Sequence, residues 1–171
     1  MNLSKITAMA SLLALTSMAS CEKAAEEVII EQPEVKIENG QFTPEALMSM
    51  GAVTDPQVSP DGTKVLYGVK FESIEQNKSN RELWVVGVDG SNPSRITKTA
   101  KGEQNAIWIN GGNKIAFLYP QDGKMQMWTM NPDGSDRKVV SNVENGIDGF
   151  ILSPDETKIA FISQVKWGTD T

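Results

Sequence analysis

The chain has 171 residues, enough for one domain of ordinary size. Its 16 Lys+Arg against 22 Asp+Glu leave a formal charge of −6, which argues against a nucleic-acid partner, since that would need clustered positive charge. It has no histidine and a single cysteine. A Ser-His-Asp or Cys-His catalytic group, an internal disulfide and a thiolate metal cluster are therefore excluded within this chain, and no cofactor is expected.

Residues 1–21, "MNLSKITAMASLLALTSMASC", read as an export signal, with Lys5 as the positive start, Ile6 to Leu15 as a short apolar stretch, and small residues after it. The apolar stretch is too short to span a bilayer. Its end, Met18 to Cys21, resembles a bacterial lipobox. That resemblance implies cleavage before Cys21, lipid attachment to its thiol, a membrane as partner, and a periplasmic or surface-facing location in the cell envelope. Residues 22–41 are acidic: Glu22 to Glu38 contain six Glu and two Lys. The segment reads as a solvated tether; the alternative is that Val28–Ile30 docks on the domain as an edge strand. Residues 42–54 form a short helix and lead-in. Thr43 suits the N-cap, Pro44 the first helical position and Gly51 the C-terminal stop. Leu47, Met48 and Met50 supply an apolar side, so the helix reads as a lid packed on the β-rich domain C-terminal to it.

From Asp55 onward every segment is short, β-rich and bounded by Gly, Pro, Asn or Asp. Trp84 and Trp128 lie 44 residues apart, and so do Asp89-Gly90-Ser91 and Asp133-Gly134-Ser135. "VSPDGTKVLYGV" (Val58–Val69) aligns with "WINGGNKIAFLY" (Trp108–Tyr119) and "LSPDETKIAFIS" (Leu152–Ser163). Lys114 to Lys158 is again 44 residues, whereas Lys64 to Lys114 is 50. The surplus falls in "FESIEQNKSN", Phe71 to Asn80, which reads as a long polar loop.

A period of about 40–45 residues with four strands per unit is the mark of a β-propeller blade. The expected fold is all-β: a partial propeller of four-stranded antiparallel blades, about 2.5–3 of them, preceded by the short helix. The blades run over about 55–100, 101–145 and 146–171, the last incomplete, and the array reads as a fragment. The first blade draws its strands from around Pro56–Ser59, Lys64–Lys70, Glu82–Val88 and Ser94–Thr97. Pro60, Asp61 and Gly62, Gly111 and Gly112, and Pro154 and Asp155 make tight turns between first and second strands. Asp89-Gly90 and Asp133-Gly134 make turns after the third strand. Trp84 and Trp128 read as blade core. "NPDGSD" (Asn131–Asp136) looks oxygen-rich but lacks calcium-loop spacing.

The ordered set "FTPEALMSMG", "DPQVSPDG", a polar loop with "NKS", then "LWVV" and "DG" resembles the propeller start of exported bacterial prolyl oligopeptidase-family serine peptidases, of the dipeptidyl-peptidase and acylaminoacyl-peptidase type. That resemblance implies a non-catalytic propeller that gates peptides toward a C-terminal α/β-hydrolase domain lying outside this chain. No catalytic residue carries over, because there is neither a G-x-S-x-G elbow nor a histidine here. The alternative is a TolB-like periplasmic propeller lipoprotein that acts as a binding or scaffold module.

Overall fold

Strong β-formers in short alternating runs, separated by turn residues, fold as pleated strands that bury one or both faces. The computed structural model describes residues 29–37 and 39–165. Helix α1 (Pro44–Met48) precedes strands β1 (Ala52–Val58), β2 (Lys64–Ser73), β3 (Lys78–Gly87) and β4 (Ser94–Arg95). Strands β5 (Gln104–Ile109), β6 (Lys114–Gln121), β7 (Lys124–Met130) and β8 (Lys138–Val139) repeat the pattern, and β9 (Gly149–Leu152) and β10 (Ile159–Ile162) begin it again. The sheets run β1-β2-β3-β4, β5-β6-β7-β8 and β9-β10, every pair antiparallel. This is a partial all-β propeller.

The core lies in the seams between sheets. Leu66, Leu83, Val85 and Ile96 of blade 1 meet Ala106, Ile115, Phe117 and Met130 of blade 2, with Trp108, Tyr119 and Trp128 packed at the margin. A second seam joins Ala116 and Leu118 to Ile147 and Phe150. Period-2 alternation explains both: Ile115 and Phe117 point to one neighbour, Ala116 and Leu118 to the other. The cross-strand pairs Tyr67–Trp84 and Phe117–Trp128 occupy the same register in the two blades.

Four expectations are corrected. Phe71 to Asn80 is not a long loop: β2 continues to Ser73 and β3 starts at Lys78, with Phe71 opposite Asn80. The surplus residues lengthen a hairpin, and their polarity reflects its solvent-facing positions; Phe71 itself is buried. The helix does not bury its expected apolar side: Leu47, Met48 and Met50 are exposed and Ala46 is buried. A five-residue helix has little more than one turn, and here its small residue lies against the protein. The acidic segment is not solvated throughout, because Ile30 is 4% exposed and packs with Val69 and Phe71. Glu31 pairs with Arg95 and with Lys98 at 3.3 and 2.5 Å. Among its described residues, 29–37, there is no strand, so that part docks without joining the sheet as an edge strand.

The lead-in also ends earlier than residue 54, since β1 starts at Ala52. Its pairing slips between Thr54 and Gln57, around Asp55-Pro56. Proline has no N–H for the ladder, so a bulge is where it fits.

Candidate binding groove

The expected turn residues are used by their own turns. Ser59 Oγ donates to Asp61 Oδ1 at 2.5 Å and the Thr63 N–H donates to the same oxygen at 3.1 Å. Those bonds to the ionised form hold the exposed Asp61 carboxyl down to about 2, the Ser59 hydroxyl contributing most. Ser153 and Thr157 treat Asp155 alike, at 2.6 and 3.2 Å, and lower it as well. Pro60 and Pro154 sit in the same two turns. The middle copy closes with a 3₁₀ turn over Asn110–Gly112, where Gly111 and Gly112 have φ of 61° and 89°. After the third strands, Ser91 holds Asp89 and Ser135 holds Asp133, lowering both carboxyls, and Gly90 and Gly134 take φ of 83° and 84°.

Trp128 packs at the seam between blades 1 and 2, edge-on to Tyr119 at 5.8 Å, and donates from Nε1 to the Tyr119 carbonyl. Trp84 stacks on Tyr67 at 6.5 Å beneath Ile30. The face that blade 1 covers on blade 2 is thus covered on blade 1 by Ile30. Cys21 lies outside the described residues.

A cavity opens elsewhere, where the first strands bulge. Strand β5 slips between Gln104 and Ile107 as β1 does at Asp55. Asp55 and Asn105 take φ of 47° and 50°, the left-handed region that Asp and Asn tolerate best among side-chain-bearing residues. The bulges tie the blades together: Gln57 Nε2 donates to the Ala106 carbonyl at 3.0 Å, and Asn105 Nδ2 to the Phe150 carbonyl at 3.1 Å. Beside them lies a groove of about 710 Å³ bordered by Asp55, Lys70, Arg81, Lys101, Glu103 and Asp148. Arg81 pairs with Asp55 at 2.7 Å.

Beside this groove lies a buried polar cluster. Glu82 and Glu103 are both 0% exposed. Thr97 Oγ1 lies 2.7 Å from Glu82 Oε2 and 2.7 Å from Glu103 Oε2. Arg95 approaches Glu82 at 3.2 Å, and Arg137 approaches Glu103 at 2.6 Å. The Arg137 guanidinium lies over the rings of Tyr119, Phe117 and Trp128, at 4.1, 4.7 and 5.4 Å. Burial pushes the Glu103 carboxyl up, against the lowering effect of Arg137. Sequence reading did not single out this cluster. Its signal was the 44-residue register, which sets Glu103 against Ile147, a core residue.

Chemically the groove supplies charge and hydrogen bonds of both signs. Among the described residues there is no group of three or more His, Cys, Asp or Glu placed to hold a metal ion. No described helix is long and apolar enough to cross a membrane.

No protein-family profile matches the chain. It is 42% identical over 130 residues to dipeptidyl-peptidase 5 of Porphyromonas gingivalis, covering 76% of this chain and 19% of that protein. It is 31% identical over 156 residues to dipeptidyl-peptidase 5 of Porphyromonas endodontalis, covering 91% of this chain and 23% of that protein. The chain therefore spans about a fifth of the length of these curated relatives. Among solved structures, an acylaminoacyl peptidase of Pyrococcus horikoshii superposes with a TM-score of 0.57 at 17% identity, over 73% of this chain and 19% of that one. TolB of Acinetobacter baumannii gives 0.51 at 21% identity, over 66% of this chain and 27% of that one. Those two establish the fold alone.

Proposed function

We propose, on the premise that the chain is part of the β-propeller of a bacterial prolyl oligopeptidase-family peptidase, that it is a non-catalytic wall gating peptides toward a serine-peptidase domain of the same parent protein. The observation that carries this reading is the 42% identity to a dipeptidyl-peptidase over 130 residues. The absence of histidine keeps a Ser-His-Asp triad out of this chain, so hydrolysis belongs to an α/β-hydrolase domain elsewhere in the parent. The groove beside Asp55 and Asn105, bordered by charged side chains of both signs and by apolar ones such as Phe150 and Ile151, is the surface best suited to line a peptide's path.

The test is to express the whole reading frame and treat it with an active-site serine probe of the fluorophosphonate type. The full product is expected to be labelled and residues 1–171 alone to remain unlabelled. A complete product that takes no label and cleaves no dipeptide from peptide substrates sinks the peptidase reading.

The envelope location rests on Lys5, the apolar run and the Met18–Cys21 resemblance to a lipobox. A thioether-linked diacylglyceryl group with an amide-linked acyl chain gives stable anchoring where one chain does not. Cys21→Ala is expected to move the protein from the membrane fraction to the soluble fraction and to abolish fatty-acid labelling. Unchanged membrane partition in that variant refutes the anchor.

A further inference from the structure

The two repeats carry the same buried hydrogen-bond frame, filled differently. In blade 2 the Met127 N–H donates to Ser141 Oγ, Ser141 Oγ donates to Gln126 Oε1, and the Val143 N–H donates to the same oxygen. In blade 1 the Leu83 N–H donates to Thr97 Oγ1, Thr97 lies against Glu82, and the Thr99 N–H donates to Glu82 Oε1. Each partner lies 44 residues from its counterpart. Blade 2 therefore runs the frame on a neutral amide, and blade 1 on a carboxylate with Arg95 beside it.

Glu103 is the addition. Its backbone N–H donates to the Arg81 carbonyl as that of Ile147 donates to Met125, so the two residues are equivalent. Where the second seam holds an isoleucine, the first holds a fully buried carboxyl. That carboxyl meets a hydroxyl whose bonding capacity is nearly used. Thr97 Oγ1 has one proton to give and two lone pairs to accept with. The Leu83 N–H occupies one lone pair. The proton goes to Glu82 Oε2, as the Ser141 proton goes to Gln126. A Glu103 oxygen at 2.7 Å is then matched only if it brings a proton of its own for the remaining lone pair. The other Glu103 oxygen, Oε1, is free to accept, and both Arg137 and Thr99 donate to it, at 2.6 and 3.1 Å. The Arg137 charge also has the three aromatic faces around it.

We propose that the Glu103 carboxyl is protonated in the folded chain and donates from Oε2 to Thr97, making the seam between blades 1 and 2 a one-proton site beside the groove. The charged groups facing it are Glu82 and Arg95 of blade 1 and Arg137 of blade 2, with Arg81, Lys70, Lys101, Asp55 and Asp148 along the groove. Burial acts in the same direction on Glu103. Because the folded carboxyl is raised, the stability it supplies is present at pH below the ordinary glutamate value and is lost as pH rises through the folded value. Losing the proton places two adjacent carboxylates in a dry seam, which loosens blade 1 from blade 2 at the groove.

The experiment is infrared spectroscopy of the full chain across pH, with urea unfolding midpoints on the same samples. In the wild type a protonated-carboxyl carbonyl band is expected to persist above about pH 5, where exposed glutamates are ionised. It is expected to vanish in Glu103→Gln and to survive in Glu82→Gln. The wild-type midpoint falls from the ordinary glutamate value up to the pH at which the band is lost and levels off above it, and Glu103→Gln lacks that fall. If Glu103→Gln does not fold, Glu103→Ile, which copies Ile147, is read the same way. Absence of the band from the wild type overturns the proposal, as does a band that survives both Glu103 variants. A band lost in Glu82→Gln and retained in Glu103→Gln puts the proton on the other carboxyl and also overturns it.

Discussion

Phe117→Ala is expected to destabilise the chain by about 3–5 kcal/mol, read as a lower urea midpoint at unchanged slope. Phe117 is fully buried and meets Leu66, Leu83, Val85 and Ile96 across the seam. Removing the ring takes away apolar burial and leaves a cavity between two stiff sheets, each held by its own ladder, so the seam has little freedom to collapse. It also removes a face that stacks on Arg137 at 4.7 Å. Set against a typical domain stability of about 5–15 kcal/mol, the loss is a large share. The third repeat supplies an internal control. Phe161 stands 44 residues on, in the same "IAF" triplet, and is 47% exposed. Phe161→Ala is expected to cost about 1 kcal/mol or less, because a half-exposed ring has less burial to lose. Equal losses at the two positions would show that the seam is not where stability resides.

The propeller was legible because its landmarks are local. A Trp at one register and a Gly-containing turn at another recur at one spacing, and four strands fit between them. What local pattern could not show was which neighbour a face meets. Phe71 to Asn80 reads as loop because its composition is polar, yet a hairpin projecting beyond the sheet body is polar for the same reason a loop is. Leu47, Met48 and Met50 suggested a buried helix side, but a helix of five residues buries only what its single turn points inward, and that is Ala46. Ile30 illustrates the converse. Within an acidic segment it has no periodic partner, and only the sheet face at Val69 and Phe71 explains its burial. The groove was hidden because its makers are spread over the chain. Asp55 and Asn105 are separated by 50 residues and are brought to the groove by matching bulges. Glu103 could have been flagged by the repeat register alone, since a carboxylate aligned with a core isoleucine is a conflict that structure must resolve.

The same register supplies the sharpest test of how the blades meet. Gly90 and Gly134 close identical turns: the N–H of Gly90 donates to the Gly87 carbonyl, and that of Gly134 to the Asn131 carbonyl, at 2.8 and 2.9 Å. Their φ values, 83° and 84°, are equally unfavourable for an L side chain. Their surroundings differ. A Cβ on Gly90 would meet nothing within 4 Å, while one on Gly134 would lie 2.1 Å from the Ile96 carbonyl oxygen of the preceding blade. Gly90→Ala is therefore expected to cost about 1–2 kcal/mol, the conformational penalty alone. Gly134→Ala is expected to cost that and a further ~1–3 kcal/mol, because backbone in a packed seam must move to admit the methyl group. Unfolding midpoints of the two variants isolate the difference. If both lose the same amount, the turn of blade 2 does not press on blade 1, and the seam that buries Phe117 and Glu103 is looser than its geometry implies. A larger loss at Gly134 shows that blade 1 and blade 2 are fitted at backbone distance, the condition under which the carboxyl of Glu103 is kept from water.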